Sequence, residues 1–96
     1  NSGTIQTETS GNYGHAIQVQ DASLTEITNS SGGTIKVTDS AHNSAAIRVR
    51  NGGAVNAITN DGTISATGSV HSRGIITINT ATIDWIINTG TINAQG

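Results

Sequence analysis

Cysteine, proline, methionine and phenylalanine are absent from the 96 residues, and Tyr13 and Trp85 are the two aromatic side chains. Without cysteine there is no disulfide framework, no thiolate zinc site and no thiol nucleophile. So low an aromatic content withholds the bulky side chains around which a compact globule packs. Charge is sparse too: Lys36, Arg48, Arg50 and Arg73 stand against six acids, for a net charge of −2. Four cations do not make the broad basic footprint that nucleic-acid binding requires. No run approaches the ~20 apolar residues of a membrane span, and no basic, then apolar, then small-residue leader is visible, so this segment is not expected to enter a membrane. The chain starts in mid-pattern at Asn1, without Met, and is read as a piece of something longer.

What fills the chain is Thr, Asn, Ile, Gly, Ser and Ala, arranged as a repeat. Gly-Thr-Ile recurs at Gly3-Thr4-Ile5, Gly33-Thr34-Ile35, Gly62-Thr63-Ile64 and Gly90-Thr91-Ile92, so the isoleucines step by 30, 29 and 28 residues. Twelve residues after the first three of these come Ile17 with Val19, Ile47 with Val49, and Ile76 with Ile78. A third group, Leu24 with Ile27, Val55 with Ile58 and Ile83 with Ile86, closes each period, followed two residues later by Asn29, Asn60 and Asn88. A period of 20–50 residues is the mark of a solenoid.

Within these groups apolar and polar residues alternate, as in Ile47-Arg48-Val49-Arg50, which is strand periodicity. Clusters such as Asn51-Gly52-Gly53 and Asn60-Asp61-Gly62 supply turn chemistry between them. Three strands and three turns per period predict an all-β, right-handed parallel β-helix of about three coils of 28–30 residues, the hand following from the preference of parallel crossovers. The coils are read at about residues 1–28, 29–59 and 60–87, with a partial coil at 88–96, all in one domain. Stacked columns of Ile5, Ile35, Ile64 and Ile92, of Ile17, Ile47 and Ile76, and of Ile27, Ile58 and Ile86 form the expected core. Stiff β-branched side chains suit such columns. Asn29, Asn60 and Asn88 are read as a corner ladder of side-chain amides, at positions able to take a left-handed backbone. Insertions map to Ser30-Ser31-Gly32 and Gly52-Gly53, while the spacing from first to second strand is expected to stay constant.

The pattern Asn-x-Gly-Thr-Ile-x-Ala, present at Asn60 to Ala66 and Asn88 to Ala94, resembles the passenger regions of bacterial autotransporters and related pectin-lyase-like adhesins. The resemblance runs the length of the chain. It implies secretion, display at the bacterial outer-membrane surface on an elongated stalk, and a role in adhesion or self-association. A host-cell or neighbouring bacterial surface protein or glycan is the implied partner, alongside homo-oligomers formed through coil ends or the Trp85 face. Scarce cysteine fits that secretion route.

Several constellations bear on chemistry. The acids Glu8, Asp21, Glu26, Asp39, Asp61 and Asp84 fall at different phases of the repeat, so no pair is stacked, and neither a catalytic residue nor a cofactor is expected. A piece of a polysaccharide-processing β-helix would need such a stack and is the alternative reading. His42 and His71 each precede their core isoleucine by five residues, which places both in one loop of adjacent coils, where two imidazoles would face a metal without an evident third ligand; no metal site is assigned. Thr4, Thr34, Thr63 and Thr91 form an outward column of the kind an ice-binding solenoid uses, but the next outward column is Gln6, Lys36, Ser65 and Asn93. The last full coil carries an apolar excess: Trp85 where earlier coils have Glu26 and Ala57, Ile87 where they have Thr28 and Thr59, and Ile75 where they have Ala16 and Ala46. Outward apolar surface with a Trp marks a contact with another chain, which nominates Trp85, Ile87 and Ile75 as partner-binding residues.

Overall fold

The computed structural model describes the backbone of all 96 residues and every side chain except those of Asp39 and Ser40. Ten strands follow one another without a helix: β1 (Thr4–Glu8), β2 (His15–Gln20), β3 (Ser23–Asn29), β4 (Thr34–Ser40), β5 (Ala45–Arg50), β6 (Ala54–Asn60), β7 (Thr63–Gly68), β8 (Arg73–Ile78), β9 (Thr82–Asn88) and β10 (Thr91–Gln95). They form three parallel sheets, ordered β1-β4-β7-β10, β2-β5-β8 and β3-β6-β9. Each strand therefore pairs with its counterpart one coil away, which makes the molecule a parallel β-solenoid of about three coils. The short 16 Å dimension matches four layers at the ~4.8 Å strand spacing.

The repeat sets the register. Ile5, Ile35, Ile64 and Ile92 lie one above another, as do the four threonines before them, and Ile27, Ile58 and Ile86 make the third column. Burial is concentrated where a layer has neighbours on both sides: Ile35, Ile47, Ile58, Ile64, Val37, Val49 and Ala46 are fully enclosed. Leu24 and Ile86 occupy the same inward columns in the outer layers and remain 41% and 51% exposed.

The second column departs from expectation. Ile17 pairs with Ile47, but Ile47 pairs with Ile75, and Ile76 stands over Arg48. The expected stack of Ile17, Ile47 and Ile76 is thus corrected to Ile17, Ile47 and Ile75, and the third coil takes 11 residues, not 12, from first to second strand. The missing residue is lost inside β7 as the strand approaches its closing corner: Val37 pairs with Ala66, yet Ser40 pairs with Gly68. Beyond that corner the coil step is 28 residues, from Ala45 to Arg73, from Ala54 to Thr82 and from Asn60 to Asn88.

All three corners carry left-handed backbone, the third at Gly32 (φ 83°) and the other two in stacked columns. Tyr13, Asn43 and His71 share one column at φ of 60, 53 and 55°, and Asp21, Asn51 and Asn79 share another at 50, 48 and 53°. Asn and Asp tolerate this region better than most residues. The third corner differs from expectation, because Asn29, Asn60 and Asn88 are not left-handed and end their strands with the side chain turned inward. Their amides form the expected ladder: Asn29 Nδ2 donates to Asn60 Oδ1 at 2.8 Å, and Asn60 Nδ2 to Asn88 Oδ1 at 2.8 Å. Asn1 extends it downward, its Nδ2 donating to Asn29 Oδ1 at 3.1 Å.

Candidate functional site

Strand alternation and the slipped register decide which side chains reach the outer faces. On the third sheet, Trp85 stands over Ala57 and Glu26, and Ile87 over Thr59 and Thr28. The Thr28 hydroxyl donates to Glu26 Oε1, so these columns share the outer face. Trp85 and Ile87 are 67% and 52% exposed there. Ile75 does not join them: over Ile47 and packed against the core cluster, it points inward. The expectation that Ile75 belongs to the outward apolar excess is corrected, because the one-residue deletion turns its side chain to the other face.

The same slip puts Ile76 and Ile78 outside on the second sheet, over Arg48 and Arg50, which stand over Gln18 and Gln20. Beside them runs the column His15, Ala45, Arg73. Because Ala45 is the small member between two long ones, the column is hollow at its middle. A cavity of about 250 Å³ opens there, lined by Tyr13, His15, Ala45, Arg48, Arg73 and Ile76 with their neighbours. Sequence reasoning did not find this cavity, because its residues come from three coils and meet only in the 28-residue step.

Arg48 Nη1 meets His15 Nε2 at 2.8 Å. A guanidinium has only donors, so the imidazole Nε2 accepts and the ring proton sits on Nδ1. Burial, then the Arg48 cation, hold the His15 pKa below its usual 6.5, with a further push from Arg50 and an opposing contribution from the Ala45 backbone. The ring is therefore neutral at pH 7. Below pH 6.5 an unfolded chain protonates His15 while the folded chain does not yet, so the unfolded state binds more protons and stability falls with pH until the folded pKa is passed. We predict a lower urea midpoint at pH 5.5 than at pH 7.5, with the difference reduced in His15→Gln. An unchanged difference in the variant contradicts the assignment.

The remaining candidates are placed as follows. His42 pairs with Asn12, and His71 shares the left-handed column of Asn43 and Tyr13, so the two imidazoles are one register position apart. Their rings nonetheless meet edge to face, with centroids 5.6 Å apart. Among the described residues no three His, Asp, Glu or Cys side chains gather as a metal-binding group. Glu8 pairs with Thr38, and Glu26 with Ala57; Asp21 lies in the column of Asn51 and Asn79, and the Asp61 carboxylate accepts from the Thr89 hydroxyl. Among these described carboxylates none stands over another, and the side chain of Asp39 lies outside the described residues. The threonine column of the first sheet is as expected, and the outward column beside it runs Gln6, Lys36, Ser65, Asn93.

These features define a parallel β-solenoid with an apolar outer patch and a cationic cavity. Comparison with known protein families, with curated proteins and with solved structures finds no match to the chain.

Proposed function

We propose that this chain is a structural and adhesive β-solenoid segment of a secreted bacterial surface protein, without catalytic chemistry, that engages a partner through the sides of its coils. The observation that carries the reading is the outward pair Trp85 and Ile87, 67% and 52% exposed on a strand whose lower neighbours are polar or small. A rigid strand presents such a pair without the ordering cost that a loop incurs, and Trp is the side chain most often central to binding energy. The partner is a protein or glycan of a host or neighbouring bacterial surface, or a second copy of the chain. The Asn-x-Gly-Thr-Ile-x-Ala motifs and their likeness to autotransporter passengers support surface display.

The test is adhesion and clumping of beads that carry the intact chain, with mass in solution measured alongside. An exposed Trp contributes little to the fold, so Trp85→Ala is expected to change stability by less than about 1 kcal/mol. Its loss of adhesion or self-association, at least tenfold, would therefore report the interface. Beads that neither adhere nor clump, or a variant that does so as well as the parent, overturn the reading.

A further inference from the structure

We propose that the cavity on the second sheet is a binding site for a small carboxylate with a compact apolar body. It stands apart from the Trp85 face and does not depend on it.

Consider first the charge. Arg48 and Arg73 both line the cavity, and neither forms an ion pair with a carboxylate among the described residues. Arg48 spends Nη1 on a neutral imidazole, and Arg73 Nη1 donates to the His71 carbonyl at 3.2 Å. The Arg48 Nε is buried without a hydrogen-bond partner, an arrangement that is costly unless another group completes it. Two unneutralised guanidinium groups converging on one hollow are the complement of an anion, and guanidinium matches carboxylate geometry two bonds at a time.

The shape and the isoleucines stacked over the arginines select the rest of the ligand. Ala45 is the floor and is 1% exposed; His15 lies below it and Arg73 above. A longer side chain at this position would fill the space. Ile76 and Ile78 form an apolar wall directly above the positions that lower coils give to Arg48 and Arg50. Tyr13, 58% exposed, stands at the mouth. At about 250 Å³ the hollow is below the range of drug-sized pockets and has room for a single ring. A carboxylate on the guanidinium side with its apolar body on the isoleucines satisfies both walls, whereas an inorganic anion leaves the isoleucines in water.

Titration of the isotope-labelled chain with benzoate, followed by NMR, is the test. Benzoate is expected to shift the amides of Ala45, Arg48 and Arg73 and the methyl groups of Ile76. Arg48→Gln and Ala45→Leu are each expected to weaken binding at least tenfold while keeping a folded spectrum; Lys36→Gln, which removes the same charge from another face, leaves it within twofold. Benzyl alcohol, inorganic phosphate and galacturonate probe the charge, the apolar body and a hydroxylated ring, and each is expected to bind at least tenfold more weakly than benzoate. Shifts scattered over other faces, an undiminished affinity in folded Arg48→Gln, or equal binding of any of the three comparison compounds overturns the proposal.

Discussion

Replacing Asn60 by alanine is expected to lower the free energy of unfolding by about 3 kcal/mol, a large part of what a domain of this size possesses. Asn60 is fully buried, and its side chain joins three layers. Its Oδ1 accepts from Asn29 below, while its Nδ2 donates to Asn88 Oδ1 above and reaches the Gly62 and Thr91 carbonyls at 3.2 and 3.0 Å. Alanine removes every one of these bonds and leaves the buried Asn29 amide without its partner in the layer above. Each buried polar group so stranded costs about 1–3 kcal/mol. Asn88→Ala is the control: Asn88 is exposed and has no ladder neighbour above it, so about 1 kcal/mol is expected there. Urea unfolding of both variants checks the ranking, and equal losses would show that the ladder is not the source.

A second large effect is expected at Gly62, one residue from the same corner's start of strand. A Cβ there would lie 2.3 Å from the Gly33 carbonyl oxygen and 2.6 Å from that of Ser30. The contact repeats along the stack: a Cβ on Gly33 would meet the Asn1 carbonyl oxygen at 2.3 Å, and one on Gly90 that of Gly62 at 2.1 Å. These are backbone atoms of the layer below and cannot turn aside. Gly62→Ala must therefore push two coils apart, at about 3 kcal/mol. Gly3 begins the same motif, but a Cβ there meets nothing within 4 Å, so Gly3→Ala is expected to change stability by less than about 0.5 kcal/mol. Thermal melts of the two single variants give the comparison; matching melting temperatures would refute the steric account of the repeated glycine.

These two positions of one corner explain why so much of the architecture is legible in the sequence. Gly-Thr-Ile repeats because one layer's carbonyl excludes a side chain on the next layer's glycine, because threonine suits an exposed pleat, and because isoleucine fills the column inside. Each requirement acts between a residue and its counterpart one coil away, so each is written into the chain at the coil period. The ladder asparagines are legible for the same reason. Their backbone conformation was not, because inward amides hold these asparagines in the strand, and the left-handed asparagines lie instead at Asn43, Asn51 and Asn79.

The register of the third coil is hidden for an equally physical reason. Its deleted residue falls between Ala66 and Gly68, at Thr67, where no large apolar side chain marks the phase. The adjacent Ile75 and Ile76 then satisfy the pattern equally well, and only pairing along the whole strand places Ile75 inside. The cavity between His15, Ala45 and Arg73 follows from that placement. At Trp85 and Ile87 the pairing of β6 with β9 runs without a slip from Ala54 and Thr82 to Asn60 and Asn88, so reading by analogy with the coil below put both on the correct face.

Parallel stacking with a 28-residue step through the third coil is most directly tested by cross-linking, which the absence of cysteine makes clean. Paired positions on neighbouring parallel strands are about 5 Å apart, within the Cα range a disulfide tolerates. The double variant Arg48→Cys with Ile76→Cys is predicted to close quantitatively under mild oxidation, and Arg48→Cys with Thr77→Cys to remain reduced. Closure of the second pair in place of the first, or of neither, would contradict the stack described here.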